Sequence, residues 1–147
     1  MRGRTGEELL QLPVRTGGLG LGRSVDLLLD LDGHRALGLD VRCGDEVTRF
    51  LPLAVATVRD DRIEVESALV LLDEAERRFY RERARTLSEV RGLAVEREGE
   101  RLGELRDVVL GDGFEILGLL VAGADPEVVR FDDSTRIRDG RRRAPAA

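Results

Sequence analysis

Hydrophobic and polar positions alternate along two short stretches that lie about eighty residues apart. In each stretch leucine, leucine and valine occupy every second position: Leu37, Leu39 and Val41 in one, Leu117, Leu119 and Val121 in the other. A period of two places alternate side chains on the same face of a β-strand. An Asp-Gly pair precedes each stretch and favours a tight type I′ hairpin with positive φ angles. The pattern therefore predicts two β-hairpins with half-buried return strands.

The two stretches belong to a longer internal repeat. At an offset of 81 residues, matches run from Thr5/Thr86 to Asp26/Asp107, and they continue to Val41/Val121 after one residue is dropped. The offset returns to 81 where Arg49-Phe50 aligns with Arg130-Phe131. Such an ordered set of matches indicates two copies of one unit of about sixty residues. We predict a first unit over residues 5–70, a linker helix over 71–85, a second unit over 86–140 and a flexible arginine-rich tail over 141–147.

Both copies contain the same order of predicted elements. Each opens with Thr-x-x-Glu, the capping-box signature of a short helix. A brief strand, a glycine turn, a longer strand, the Asp-Gly hairpin and the return strand follow. About six short strands around an aliphatic centre favour a small barrel, and a unit of this size is marginal alone, so the copies are expected to pack together. The predicted fold class is mainly β, with two small antiparallel β-barrels in tandem joined by one α-helix.

The segment between the copies, Asp73 to Arg85, is the only long stretch with a helical pattern. Acidic residues stand at its start and arginines at its end, as the helix dipole favours. Leu72, Ala75 and Phe79 form a narrow apolar stripe at helical spacing. We predict that this stripe packs on a barrel and that Tyr80, about 100° further round the helix, is exposed.

The stretch GGLGLG, residues 17–22, poses the question of nucleotide binding. A dinucleotide fingerprint needs G-x-G-x-x-G, and a P-loop needs a lysine before its Ser or Thr. The first spacing is not met and the chain has no lysine. The second copy reads EGERLG here, which indicates a hairpin turn and not a phosphate site. Structural turn roles are predicted for Gly18, Gly22, Gly33, Gly99, Gly103 and Gly113.

Composition narrows the class of protein further. The 147 residues carry a net charge of −5, which argues against a general binder of nucleic acids or anionic membranes. The single cysteine, Cys43, excludes an intrachain disulfide and fits a reducing compartment. The N-terminus shows no apolar signal-peptide core, and the longest apolar run, Ala68–Leu72, is far too short to span a bilayer. We expect a soluble, cytoplasmic protein.

The ordered motifs resemble the PRC-barrel family. The first copy carries the resemblance in residues 12–14, 18–22, 25–30 and 37–39, and Phe50-Leu51-Pro52-Leu53 resembles the family's later strand with its proline turn. The second copy carries it more fully, in residues 91–121. The resemblance implies a small β-barrel, known from bacterial and archaeal proteins, that docks onto partners and has no active site of its own. Neither the membrane helix of the photosynthetic members nor the RNA-processing domain of the ribosome-maturation members has a counterpart in this sequence, so those specific roles do not transfer.

No combination of side chains indicates a catalytic, cofactor or metal site. His34 is the only histidine, and neither a triad nor a zinc site can be assembled around it, so we interpret it as a solvated turn residue. Cys43 has no second cysteine or histidine at metal spacing and is interpreted as half-buried filler. Asp26 and Asp107 occupy equivalent repeat positions. This recurrence favours a structural role, such as accepting backbone N–H bonds at a strand bend, over acid–base catalysis.

Three features mark candidate partner contacts: the tyrosine and arginines of the linker helix, the apolar surplus of the first copy, and the arginine tail. The residues selected are Tyr80, Arg81, Arg83, Leu31, Leu53, Arg141, Arg142 and Arg143. Tyrosine and arginine are enriched at binding hot spots. The apolar surplus covers either the other barrel or a second chain. The tail is either a frayed terminus or a weak contact to rRNA or to an acidic protein.

These features predict a non-enzymatic protein-binding or adaptor module that docks on a protein partner and, in one version, forms a homodimer. The alternative function is an RNA-linked accessory role in maturation of the small ribosomal subunit. The expectation includes no cofactor, no metal and no membrane insertion.

Overall fold

The computed structural model describes residues 3–138, and within them the protein is mainly β, as predicted. The elements are, in chain order, β1 (Arg4–Thr5), α1 (Gly6–Leu9), β2 (Pro13–Thr16), β3 (Leu19–Asp30), β4 (Arg35–Cys43), β5 (Thr48–Pro52), β6 (Ala56–Val58), β7 (Ile63–Val65), α2 (Glu74–Arg81), β8 (Arg85–Thr86), α3 (Leu87–Val90), β9 (Ala94–Arg97), β10 (Glu100–Leu110), β11 (Ile116–Ala122), β12 (Val128–Arg130) and β13 (Thr135–Ile137). Two 3₁₀ turns, Leu53–Val55 and Ala68–Val70, precede β6 and α2.

The strands form two curled sheets. The first sheet has seven strands in the order β5-β4-β3-β2-β7-β6, with β8 added to β3, and the second has six in the order β12-β11-β10-β9-β13, with β1 added to β10. The antiparallel series β2 to β5 is repeated by β9 to β12, as expected of two copies. The copies differ at one end, because β7 runs parallel to β2 whereas β13 runs antiparallel to β9.

Each sheet receives its short added strand from the other copy. Strand β1 opens the first copy but pairs with Val109 and Leu110 of β10. Strand β8 opens the second copy but pairs with Leu28 and Leu29 of β3. Helices α1 and α3 follow these strands and contact β10 and β3, respectively. The opening segments are thus exchanged reciprocally, the arrangement expected of two copies related by an approximate two-fold axis.

The predicted capping residues start both exchanged helices. Thr86 and Glu89 form a complete capping box at α3, in which each side chain bonds the backbone of the other residue. At α1, the Thr5 hydroxyl accepts a hydrogen bond from the Glu8 amide at 3.2 Å. These caps satisfy amides that helices of only four residues would otherwise leave unpaired.

The recurring carboxylates Asp26 and Asp107 fasten the exchanged segments. Asp107 accepts the amides of Val108 at 2.8 Å and of Glu7, in the other copy, at 3.0 Å. Asp26 accepts the amides of Leu27 at 2.9 Å and of Ser88, again in the other copy, at 3.2 Å. Both carboxylates adjoin a shift of register in their strand. Their predicted role as acceptors of backbone N–H bonds is confirmed.

The two Asp-Gly hairpin turns meet at a second junction between the copies. The Ala36 amide donates to the Phe114 carbonyl and the Ile116 amide donates to the His34 carbonyl, both at 2.8 Å. The positive φ angles fall on His34 and Phe114 and not on the glycines before them, so the predicted type I′ turn is wrong. The His34 ring packs on Phe131, with centroids 4.5 Å apart, and is therefore a junction residue and not a solvated turn residue.

The shared glycines of the GGLGLG region have two distinct structural roles. In the second copy, Glu98 and Gly99 both have positive φ in a two-residue hairpin turn, but in the first copy the positive φ belongs to Gly17 and not to Gly18. Neighbouring strands approach closely at Gly22 and Gly103. A Cβ on Gly22 would clash with the carbonyl oxygen of Arg42, and a Cβ on Gly103 would clash with that of Ala122. A Cβ on Gly33 or Gly113 would meet only a flexible carboxylate side chain. The turn role predicted for these last two glycines therefore requires no special backbone angle.

One hydrophobic core runs through both copies. Leu9 of α1 and Leu87 of α3 are fully buried in the same cluster as the inward residues of both sheets. The expectation that the copies pack against each other is confirmed.

The last strand of the repeat has a different register from the one that the sequence alignment predicts. Phe50 lies opposite Asp40, whereas Val128 lies opposite the equivalent residue Leu120. Val128, and not Phe131, is therefore the structural counterpart of Phe50. The two identical Arg-Phe pairs mislead the sequence alignment. Placing Phe131 at the position of Phe50 would break the alternation of inward and outward side chains along the strand.

Candidate functional site

Helix α2 is fastened to the first sheet by an ion pair. The Arg77 guanidinium donates to both oxygens of Asp40, with Nε–Oδ1 and Nη2–Oδ2 distances of 2.7 and 2.8 Å. The Asp40 side chain is only 9% exposed and that of Arg77 is 23% exposed. The hydrogen bond to Asp40 raises the pKa of Arg77, so this guanidinium stays charged under all ordinary conditions.

The helix presents a different face to the sheet from the one predicted. The Tyr80 ring lies against Phe50, with centroids 4.8 Å apart, and is half-buried. Phe79 is 68% exposed, and Ala75 is exposed beside it. Of the predicted stripe, Leu72 packs against the sheet but Ala75 and Phe79 do not, and the predicted exposure of Tyr80 is wrong. The Arg77–Asp40 pair holds the helix in this rotation. The helix also ends at Arg81, before the predicted Arg85.

The remaining candidate contact residues lie in several environments. Arg81 pairs with Glu89 and donates to the Ala84 carbonyl at 2.6 Å, so its charge is used within the chain. Arg83 is exposed. Leu53 is buried and Leu31 is half-buried against the core, so burial makes Leu53 unsuitable as a partner contact. Arg141, Arg142 and Arg143 lie outside the described residues.

A groove of about 470 Å³ opens beside β6, at the edge of the first sheet. Its walls are the corner between β5 and β6, the strand β7 and the second 3₁₀ turn, and its lining residues are Ala54, Val55, Ala56, Thr57, Glu64, Val65, Glu66 and Val70. Leu69, next to Val70, is 90% exposed. Val55 is also largely exposed. An apolar surface in a concave position is a common property of docking sites.

Strand β6 also presents hydrogen-bonding groups at this edge. It pairs with β7 through Ala56, Thr57 and Val58, and the Arg59 amide closes the hairpin on the Arg62 carbonyl at 2.8 Å. Because hydrogen-bonded and non-hydrogen-bonded pairs alternate in an antiparallel ladder, the Val58 amide and carbonyl point away from β7. The groove therefore adjoins a short edge to which an extended segment can add.

The lining of the groove carries one carboxylate that is paired with Arg59 and Arg62 and one that is exposed. Glu64 and Glu66 contribute carboxylates to the lining. A hydrogen bond from Arg62 lowers the pKa of Glu64, which keeps this carboxylate ionised. An occupant that combines apolar side chains with a basic residue would match these walls.

The described residues do not assemble a metal-binding group. Among residues 3–138, no cluster of three or more His, Cys, Asp or Glu side chains is placed to hold a metal ion. Cys43 is half-buried, and its thiol lies 3.8 Å from the Val41 carbonyl. No helix within this range has the length and apolar character needed to cross a membrane.

The sequence indicated part of the groove and not the rest. Val55 lies two residues after Leu53, in the apolar stretch of the first copy that supplies the predicted apolar surplus. Leu69 and Val70 were not singled out, although they belong to the apolar run Ala68–Leu72. That run has no alternation, and a short continuous apolar run is ordinarily interpreted as buried, so the sequence gives no signal for its exposure. A search against models of known protein families finds no match, and a search of curated proteins finds none either.

Proposed function

We propose that this chain is a non-enzymatic protein-binding module of the cytoplasm, built from two PRC-barrel-like units, and that it docks a partner in the groove beside β6. The observation that carries the proposal is the 90% exposure of Leu69, which adjoins Val70 in the lining of the groove. A large apolar side chain held in water on a rigid scaffold favours association, because burying it on binding is worth about 1.5–3 kcal/mol. The resemblance to a family of docking barrels supports the same function.

The groove fits an extended segment of a partner. Such a segment would add to the outer edge of β6 through backbone hydrogen bonds and place alternate side chains in the groove. The exposed carboxylate of Glu66 favours a segment with a basic residue near its apolar ones. Self-association through the same groove is the competing outcome, and it is detected as a concentration-dependent mass.

The test compares two substitutions of exposed apolar residues. Leu69→Asp places a charge beside the groove, whereas Val47→Asp places one on a valine of the β4–β5 turn that is 50% exposed. Tagged wild-type chain and both variants are used to capture partners from the native host, and captured proteins are measured by mass spectrometry. Capture by the wild type and by Val47→Asp, with loss in Leu69→Asp, supports the proposal. Equal capture by all three chains places the docking surface elsewhere.

A further inference from the structure

The outer face of the first sheet, on the side away from the shared core, is covered by α2. Leu28 and Phe50 are fully buried there, and Leu37 and Tyr80 pack against them. Asp40, on the same face, binds Arg77 of the helix. The helix contacts this face chiefly through β5.

The corresponding face of the second sheet is covered only in part by residues 3–138: Val109 is 7% exposed and lies beside Gly3, whereas the positions nearer β12 are more exposed. The strand pairings make Val109, Leu120 and Val128 the counterparts of Leu28, Asp40 and Phe50. The main sheet contacts of helices α1, α2 and α3 are with β10, β5 and β3, respectively. Val128 is 40% exposed, whereas its counterpart Phe50 is fully buried.

The charges on the two faces differ in a way that specifies the occupant. The acceptor Asp40 is replaced by Leu120, so a cation at the position of Arg77 would have no partner. Arg130, which pairs with Gly118 beside Leu120, is exposed and makes no ion pair with any residue from 3 to 138. Diagonal neighbours on a sheet face lie about 7–8 Å apart, within reach of a long side chain. A glutamate at the position of Arg77 could therefore lay its stem on Leu120 and direct its carboxylate to Arg130.

We propose that the outer face of the second sheet, formed by Leu117, Leu120, Val128 and Arg130, binds an amphipathic helix of a partner protein that carries an acidic residue opposite Arg130. The first sheet supplies the template, since the same strand arrangement binds α2 in the same chain. The helix α2 of a second copy is a poor occupant, because its Arg77 would face Leu120 and the like charge of Arg130. This surface is distinct from the groove beside β6.

The probe is a synthetic peptide of residues 71–84 in which Arg77→Glu replaces the cation, held helical by a side-chain staple because short isolated helices are marginal in water. A matched peptide retains Arg77. Binding of each labelled peptide to the full chain is measured by fluorescence anisotropy, and the contact is located by NMR shift changes. Three proteins are compared: the wild type, Arg130→Glu and Leu69→Asp. Arg130 is exposed, so its replacement leaves the fold intact.

The glutamate peptide is expected to bind the wild type at least about tenfold more tightly than the arginine peptide, the effect of one charge-assisted hydrogen bond. Arg130→Glu is expected to reverse that preference, and Leu69→Asp to leave it unchanged. Shift changes are expected at Leu117, Leu120 and Val128. Absence of binding at millimolar peptide, a preference unaffected by Arg130→Glu, or shift changes confined to Leu28 and Phe50 would overturn the proposal. Loss of binding in Leu69→Asp would overturn it as well, by assigning the peptide to the groove of the proposed function.

Discussion

Replacing Arg77 with leucine is expected to destabilise the protein far more than replacing its partner Asp40 with leucine. Arg77→Leu leaves the Asp40 carboxylate, which is 9% exposed, without the two hydrogen bonds at 2.7 and 2.8 Å. Asp40→Leu leaves the arginine unpaired instead, but that long side chain is already 23% exposed and can turn into water. The two substitutions remove the same ion pair, so the difference between them isolates the cost of the buried charge.

The magnitudes follow from the partial burial of the pair. Breaking a fully buried pair costs about 3–5 kcal/mol, and an unsatisfied buried group about 1–3, so a pair of intermediate exposure should lose roughly 2–3 kcal/mol in Arg77→Leu. At this chain length, that loss corresponds to a fall in Tm of roughly 5–10 °C. Asp40→Leu should cost about 0–1 kcal/mol, because the arginine that it leaves unpaired can turn into water. The double variant should return to within about 1 kcal/mol of the wild type, since an apolar contact replaces the pair.

The assay is urea unfolding of the four proteins, followed by circular dichroism and by a second probe to establish two-state behaviour. The four free energies of unfolding give the coupling energy between the two positions. If Asp40→Leu costs as much as Arg77→Leu, or if Arg77→Leu costs less than about 0.5 kcal/mol, the reasoning from buried charge is refuted.

Two further predictions concern the strand contacts and a buried carboxyl. Gly103→Ala places a Cβ against the Ala122 carbonyl and should lower the free energy of unfolding by roughly 2–3 kcal/mol. Gly18→Ala, with open space around the glycine, should change it by less than about 0.5 kcal/mol. Equal losses in urea unfolding would contradict the argument that strands approach closely at Gly103. Burial raises the pKa of Asp107 above its ordinary value of 3.8, so the native state holds the proton more tightly than the unfolded chain does. The stability that the protonated carboxyl contributes is therefore full below pH 3.8 and is lost as the pH rises through the native pKa. The stability of the wild type relative to Asp107→Asn should therefore fall between pH 3.5 and neutrality, by less than about 1.4 kcal/mol per pH unit, and a relative stability that rises with pH would show the opposite shift.

Much of the fold could be predicted because its information is local. The capping box at Thr86 and the alternation of Leu117, Leu119 and Val121 each specify an element within a few residues. The internal repeat then doubles every such prediction. It also identified Asp26 and Asp107 as structural, since equivalent positions in two copies favour one common role.

The errors arose where distant contacts decide the outcome. The sequence of α2 allows either Phe79 or Tyr80 to face the sheet, and only the contact of Arg77 with Asp40, 37 residues away, selects Tyr80. The hairpins were assigned type I′ from Asp-Gly, but His34 and Phe114 take the positive φ because each turn pairs its backbone with the other. The groove was only partly anticipated, because the exposure of Leu69 depends on how the 3₁₀ turn is placed against β6 and β7.

The reciprocal exchange explains why two similar sheets can carry different surfaces. Each sheet depends on a strand and a helix from the other copy, and Leu9 and Leu87 lie in one core, so neither copy can be lost without exposing the other. With the shared interior held in place, the outward positions are free to diverge. Phe50 and Asp40 bind α2 on one face, whereas Val128 and Leu120 occupy the equivalent positions on the other. The common core therefore constrains the inward positions of both copies, whereas the outward positions can differ without loss of the fold.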